Sequence, residues 1–539
     1  MPRIGTPPDK DSAVYQQNRE EMLRLIEEIR TLEAKVRANS ERSREKFEAR
    51  KQILPRERLN RLLDPGCDFV ELSRLAGYRM HDDDGDKNIA GGSLITGLGC
   101  VANTDCLISI SDSGIKGGAM APMGVEKSLR AQAIARENKL PIVNLLESAG
   151  ANLSYQGELF LLGGRTFYNQ ASLSAAGIPQ VTVVHGSSTA GGAYVPGLSD
   201  YAIMVRRQAK VFLAGPPLLK AATGEVATDE ELGGADMHHT ISGTAEYLAE
   251  NDEDGIAIAR DVVSRLGWPG AESAVPDEPY TEPEHDIDDL FGLVPVDYRV
   301  PYDCREVIAR IVDGSDFLDF KRGFGPEIVC GHAFIGGMAV GLIGNNGPIF
   351  PQGSQKATHF IQNCCQTGRP IIYLQNITGY MVGKKVESDG SVKHGSKMIQ
   401  AVSNASVPQI TLMIGASFGA GNYGMCGRAF GPRFVFAWPN SRVAVMGGEQ
   451  AGRVMSIIAR AGAERKGASV DEKALREREQ EIAQRIAEES KALYITARVW
   501  DDGIIDPRDS RRVLIHTLRI CAKGDARVLR PNSFGVARM

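Results

Sequence analysis

A stretch of this chain is written twice. Residues 178–184 read IPQVTVV and residues 407–413 read VPQITLM, placing Pro179 and Pro408 229 positions apart. Upstream, Pro141 and Pro370 keep the spacing of 229, as do Lys127 and Lys356. Downstream, Gly192 pairs with Gly421 and Tyr194 with Tyr423. A fixed period held over so many positions means two copies of one fold. The run before each glycine-rich turn is almost continuously apolar, as in a strand covered on both faces. Helical stretches flank it, such as Glu126–Asn138 and Lys356–Gln366. The expectation is an α/β architecture with helices over both faces of a sheet, made twice.

At 539 residues the chain exceeds a single core, and length alone suggests two to four domains. Residues 1–62 include a helical segment from 14 onward, with Leu23, Leu25, Ile26, Ile29, Leu32 and Val36 at helical spacing. The first copy then spans 63–270, a linker rich in Pro and acid 271–290, and the second copy 291–539. A charged helical excursion is expected at 463–493. A net charge of -5 with 24% charged residues gives no electrostatic case for nucleic acid or an anionic membrane. No apolar run approaches the ~20 residues of a membrane helix, and Met1–Lys10 lacks the apolar core of a secretory signal. Nine scattered cysteines without a C-x-x-C fit a reducing compartment, and a bacterial cytosol is the expected location. The histidines show no ligand spacing, so no metal is expected.

The chemistry is expected where strand gives way to glycine turn: 185–196 (HGSSTAGGAYVP) and 414–427 (IGASFGAGNYGMCG). Glycines there let backbone N–H groups converge on one point, which stabilises an oxyanion without any ionisable side chain. The bland alternative is a tight turn and nothing more, but two copies after two buried strands favour a functional pair. Residues 415–419 also fit G-x-S-x-G, with Asp506 and His516 downstream to complete a hydrolase order. The first copy lacks the second glycine of that motif, so a triad explains only one copy. Residues 419–424 fit G-x-G-x-x-G but no acid follows at the end of the next strand. No G-x-x-x-x-G-K-[ST] occurs.

The wording of these turns resembles one family. Residues 188–196 (STAGGAYVP), 212–225 (FLAGPPLLKAATGE) and 231–236 (ELGGAD) resemble the N-terminal half of acyl-CoA carboxylase carboxyltransferases. Residues 375–383 (QNITGYMVG), 418–429 (FGAGNYGMCGRA), 445–450 (VMGGEQ) and 500–507 (WDDGIIDP) resemble the C-terminal half. Within the family the wording is most like the non-biotinylated β subunit of methylcrotonyl-CoA carboxylase. The resemblance implies two tandem crotonase-like (ClpP/crotonase superfamily) β-β-α superhelix domains. It implies an N-half that binds acyl-CoA and a C-half that binds biotin, with the active site formed between two subunits of a homo-hexamer. Gly191 and Gly192 match the amides that hold the thioester enolate; Ala420 and Gly421 match those for biotin, to within one position. Lys116, Gly117, Gly118, Ala149, Gly150, Lys220, Thr223 and Gly224 match loops near CoA. Asn376, Thr378, Gly379, Phe418, Asn422 and Tyr423 match the biotin side. Glu147 and Asp200 read as cap or turn residues.

No Ala-Met-Lys-Met biotin-attachment sequence and no ATP loop is found, so the resemblance implies a biotin carboxylase and biotin carrier partner in an α6β6-type complex. Residues 147–164 (ESAGANLSYQGELFLLGG) and 111–122 (SDSGIKGGAMAP) depart from the methylcrotonyl wording on the acyl-CoA side. Geranyl-CoA or another branched enoyl-CoA therefore stays open beside methylcrotonyl-CoA. Phe418 is expected to shorten an acyl pocket. The rivals are a biotin-dependent decarboxylase subunit, a crotonase-like hydrolase or hydratase acting alone, and a scaffold that only binds the biotin subunit.

Overall fold

The computed structural model describes residues 3–85, 90–268, 274–276, 279–467, 469–532 and 535. Part of the expected linker, 271–273 and 277–278, lies outside the described residues. The chain forms two compact units. An N-half unit comprises Arg30–Val275, Ala497–Val499 and Arg519–Met539; a C-half unit comprises Met1–Ile29, Pro276–Thr496 and Trp500–Leu518.

In the N-half unit the strands are β1 (Val70–Leu72), β2 (Leu94–Val101), β3 (Thr104–Ser111), β4 (Ile142–Ser148), β5 (Gln180–Thr189), β6 (Tyr201–Val205), β7 (Lys210–Phe212) and β8 (Tyr247–Ala249). They run in the order β1-β2-β3-β4-β5-β6-β8, with β7 continuing beside β5. The β1–β2–β3 meander is antiparallel, and β3 to β6 are parallel, as helical crossovers require. Alternation along the strands sorts the side chains. Cys106, Ile108, Ile110, Val143, Leu145, Val181 and Val183 pack with residues of the helices Pro55–Leu62 and Asp252–Arg265. Many of the intervening residues face the helices Pro122–Glu137 and Gln156–Ala175.

The C-half unit repeats this with β9 (Leu318–Asp319), β10 (Ile328–Ile335), β11 (Met338–Asn345), β12 (Ile371–Ile377), β13 (Gln409–Phe418), β14 (Phe434–Ala437) and β15 (Arg442–Ala444). Their order is β14-β13-β12-β11-β10-β9, with β15 beside β13. The repeat holds residue by residue. β4 and β12, β5 and β13, and the helices Pro122–Glu137 and Pro351–Gln366 have identical bounds once 229 is added. Even the register break recurs, Ser148 meeting Ser188 and Ile377 meeting Ser417. Pro opens both helices, where its missing N–H has no intrahelical use.

The paired lysines of the repeat are structural. Lys127, 2% exposed, donates to Gly91 and Leu94 carbonyls, and Lys356, fully buried, donates to Ile328 O at 2.7 Å. Each ammonium thus satisfies backbone at the start of a strand. Burial pushes the Lys127 pKa down to about 8. Its charged form therefore opposes folding below pH 8, and the unfolded chain binds the extra proton up to the usual lysine range. Stability at this site should rise from pH 8 toward 10, and a Lys127→Met variant should lose that rise in its thermal midpoint.

The expected 14–62 helix is three: Ala13–Glu41, Arg44–Ala49 and Pro55–Leu62. The charged excursion is a helical hairpin that starts earlier than its charges. Gly448–Arg465 and Glu472–Glu489 run antiparallel, with a Cβ on Gly448 or Gly452 falling 2.3 Å and 2.6 Å from the Ala483 and Glu479 carbonyls. Ser456 Oγ donates to Glu479 at 2.8 Å and Arg460 pairs with Glu472 at 2.7 Å. Among the described residues no helix is long and apolar enough to cross a membrane.

Candidate active site

β5 delivers the chain from a fully paired sheet into the first glycine turn. Thr189 is still extended, Ala190 is left-handed at φ 53°, and Ala190–Ala193 coils as a 3-10 turn into the short helix Tyr194–Leu198. The C-half turn follows the same path: Phe418 is extended, Gly419 is left-handed at φ 56°, and Gly419–Gly424 is helical. The opening N–H groups of such turns have no acceptor within the turn. Side chains lock the first turn. Ser188 Oγ donates to Gly192 O at 2.9 Å, and Gly150 N–H donates to Ser148 Oγ at 3.1 Å. Gly192 is tightly confined, since a Cβ would lie 3.0 Å from both Cβ and Oγ of Ser148. Gly118 is constrained more strongly, with φ 75° and a Cβ position 2.3 Å from Glu147 O.

Gly191 and Gly192 line a cavity of about 1090 Å³ that lies wholly within the N-half unit. Gly118, Ala119, Met120, Gly150 and Ala151 join them at this end. The helix Gln156–Ala175 supplies one wall through Leu159, Phe160, Gly163, Gly164 and Phe167, and the cavity continues along the sheet face to Ile142 and Gln180. Phe160 and Leu161 are 88% and 81% exposed, so this wall is apolar inside and out. Gly163 and Gly164 leave the cavity open, because a Cβ on either meets nothing within 4 Å.

Beneath the first turn sits a buried ionic cluster that sequence reading missed. Arg58, fully buried, donates to Glu147 Oε2 at 3.1 Å and to Asp252 Oδ2 at 2.9 Å. His185 Nδ1 bonds Asp252 Oδ1 at 2.9 Å, Ser113 Oγ donates to Glu147 at 2.7 Å, and Gln52 bridges Glu147 to His185 O. Burial and the Arg58 charge push the His185 pKa down. Burial opposes ionisation of Asp252, yet His185 and Arg58 together hold its pKa below the usual range. Glu147 is thus neither cap nor turn residue; its carboxylate abuts Gly186, where a Cβ would sit 2.4 Å from Oε1. Removing the cation leaves two carboxylates buried. Arg58→Met is expected to cost about 3–5 kcal/mol in a denaturant titration, where a neutral surface change costs little.

The other sequence candidates fall as follows. Gly118 and Gly150 line the cavity, whereas Lys116 borders a smaller recess of about 50 Å³ and pairs with Asp82, which also accepts from Tyr155. Gly117 and Ala149 adjoin one another, a Gly117 Cβ lying 3.9 Å from Ala149 Cβ. Lys220 and Thr223 are exposed on the helix Pro216–Thr223, capped by left-handed Gly224, and none of the three lines the large cavity. In the C-half, Asn422 Nδ2 donates to Ser417 Oγ at 2.7 Å, and Ser417 donates to Gln375 at 2.6 Å. Asn376 occupies the repeat position of Glu147 and abuts Gly415 as Glu147 abuts Gly186. Thr378 and Tyr423 are exposed, and Gly379 has φ 115°. Phe418 is 4% exposed, its ring edge-on to Tyr298 at 5.1 Å, so its side chain is core packing and does not shorten an acyl pocket. Asp200 does serve as a turn residue, accepting from Gln180 N–H at 2.8 Å.

A carboxyl transferase domain family model matches residues 47–533. The chain belongs to that family. It is 47% identical to a probable biotin-dependent acyl-coenzyme A carboxylase beta2 subunit of Mycobacterium tuberculosis, covering 98% of this chain and 99% of the relative. It is 44% identical to a probable mitochondrial methylcrotonoyl-CoA carboxylase beta chain of Drosophila melanogaster, covering 98% and 94%. The crystal structure of the P. aeruginosa geranyl-CoA carboxylase beta subunit superposes with a TM-score of 0.93 at 55% identity, covering 100% of both chains. The tandem crotonase-like fold and the carboxyltransferase activity of a biotin-dependent acyl-CoA carboxylase β subunit follow.

Proposed function

We propose that this carboxyltransferase acts on a 3-methyl-branched enoyl-CoA with a chain of geranyl length, geranyl-CoA being the leading candidate. The observation that carries the reading is the cavity of about 1090 Å³ opening onto Gly191 and Gly192. That volume lies just above the ~300–1,000 Å³ of pockets that hold drug-sized ligands. With the CoA end at Gly118 and Gly150, a five-carbon acyl group would leave the stretch along the sheet face to Ile142 and Gln180 empty. The likeness to a geranyl-CoA carboxylase β subunit supports the same conclusion. A second reading, 3-methylcrotonyl-CoA, is favoured by the names of relatives at 43–45% identity.

Carboxybiotin borne by a partner subunit supplies the carboxyl group. The C-half turn suits a neutral carbonyl-type acceptor: its frame of Gln375, Ser417 and Asn422 is uncharged, and Ala420 and Gly421 open the turn. In the N-half, the Gly191 and Gly192 amides hold the thioester oxygen as negative charge develops there. Biotin on the partner, having given up its carboxyl as CO2, would supply the base that takes the γ-proton. The resulting dienolate attacks that CO2 through its γ-carbon. Phe160 and Phe167 lend apolar surface to the cavity wall, with Phe167 beside Gly191. Proximity supplies much of the remaining acceleration. Lys116, Gly117, Gly118, Ala149 and Gly150 serve the CoA end, and Lys220, Thr223 and Gly224 an outer CoA contact. Asn376, Thr378, Gly379, Asn422 and Tyr423 serve biotin. The working assembly is a homo-hexamer joined by biotin carboxylase and carrier subunits.

The test is reconstitution of the full chain with its biotin-bearing partner, ATP and bicarbonate. Geranyl-, 3-methylcrotonyl-, propionyl- and acetyl-CoA are offered separately. Geranyl-CoA should show the highest kcat/KM; carboxylation of propionyl- or acetyl-CoA alone would overturn the proposal.

A further inference from the structure

The repeat supplies an internal control for the cavity. In the C-half unit the corresponding space is solid core. Ile343, Ala357, Phe360, Ile361 and Tyr373 are all 0–1% exposed and pack in one cluster. Strand pairing fixes the equivalences: Ser109 faces Asn144 across β3–β4 as Ile343 faces Tyr373 across β11–β12. The matching helices set Ser128 against Ala357, Ala131 against Phe360 and Gln132 against Ile361. The N-half residues at these positions all line the cavity. Apart from Ser128, which stands against an alanine, large residues at these positions give way to smaller or polar ones, and the far end of the cavity results.

Volume alone would be opened by alanine or glycine. Three of these positions instead carry hydrogen-bonding groups where the C-half has none, and Asn144 stands where the C-half has tyrosine. Gln132 is occupied, donating to Thr166 O at 3.0 Å and accepting from Asn169 at 3.1 Å. Asn144 spends its amide nitrogen on Thr182 Oγ1 at 3.1 Å. No hydrogen bond among the described residues engages the Asn144 amide oxygen or the Ser109 and Ser128 hydroxyls. Polar groups facing an otherwise apolar cavity need partners, and an aliphatic chain end offers none.

Distances along the sheet say what reaches them. Ser148 touches the Gly192 position, and Asn144 lies four residues back on β4, or about 13 Å at the usual rise per residue. An extended geranyl chain covers about 8 Å at the ~1.2 Å per bond implied by extended backbone. One terminal C–O bond followed by a hydrogen bond of about 2.8 Å spans about 4 Å, which covers the gap of about 5 Å to within about 1 Å. The Asn144 oxygen accepts, so the ligand must donate. A carboxylate does not donate, and Arg165, which also lines the cavity, disfavours an amine.

We propose that the polar far end of this cavity, Ser109, Ser128 and Asn144, recognises a hydroxyl at the distal end of the acyl chain, making an ω-hydroxylated branched enoyl-CoA the preferred substrate. The inference rests on the proposed acyl-CoA site and deepens it. In the reconstituted complex, kcat/KM for ω-hydroxygeranyl-CoA should exceed that for geranyl-CoA by about tenfold, the scale of one well-made hydrogen bond to a buried site. Asn144→Leu should reduce the ratio to near one. Ser109→Ala, which disturbs packing least, should reduce it partway with an unchanged thermal midpoint. Equal or poorer use of the hydroxylated thioester by the wild type would overturn the proposal while leaving geranyl-CoA carboxylation intact. Should neither thioester be carboxylated, calorimetric titration of the full chain with both decides the point: tighter binding of the hydroxylated one supports the polar end, and equal binding overturns it.

Discussion

Gly192→Ala is expected to lower kcat about 10²–10³-fold, the usual cost of losing one oxyanion donor, with the acyl-CoA KM changed by no more than about threefold. The added methyl would stand 3.0 Å from Ser148 Cβ and Oγ and 3.1 Å from Ser188 Oγ. Neither serine can withdraw. They sit at the C-terminal ends of β4 and β5, paired with each other, and their hydroxyls already bond Gly150 N–H and Gly192 O. The turn itself must therefore shift by some tenths of an ångström, and its amides move off the developing oxyanion. Ground-state binding draws mainly on the rest of the cavity and is spared. Gly191→Ala is the control, since its methyl meets only Phe167 Cζ at 3.5 Å, an ordinary contact. Steady-state kinetics of the two reconstituted variants separate the cases. A Gly192→Ala enzyme within threefold of wild-type kcat would remove this turn from the mechanism.

The fold was legible because duplication writes each element twice. Pro141 and Pro370 precede β4 and β12, and Pro179 and Pro408 precede β5 and β13, so the spacing of 229 located four strands at once. Partnerships distant in sequence were not legible. Glu147 has the composition of a cap, and nothing near it announces Arg58 or, beyond it, Asp252 and His185. The hairpin was placed too late because its first helix is recognised by charge, whereas Gly448 and Gly452 make the close backbone contacts that seat it. Phe418 looked functional from its place beside the turn, yet its ring is buried against Tyr298 and only its backbone adjoins the turn. The cavity was hardest to read. It consists of side chains that are missing, and only setting Ser109, Ala131 and Asn144 against Ile343, Phe360 and Tyr373 makes the deficit visible.

Filling that deficit from the opposite wall should separate long substrates from short ones. Gly163→Phe is expected to reduce kcat/KM for geranyl-CoA by about 100-fold or more, with 3-methylcrotonyl-CoA kept within about threefold. Gly163 lies within the helix Gln156–Ala175, lines the cavity, and has nothing within 4 Å of where its Cβ would be. A Cβ can therefore be added at this cavity-lining position without meeting the backbone, unlike most insertions into packed cores. Replacing a mid-helix glycine also favours the helix by a few tenths of a kcal/mol, so the thermal midpoint should hold or rise. That sign matters, because lost activity with retained stability reports on occupancy and not on misfolding. The short thioester is expected near Gly191 and Gly192, beside Phe167 of the same helix and one turn beyond Gly163. A variant that loses both substrates equally would place Gly163 at the thioester, and one that keeps both would show that the acyl chain takes another path.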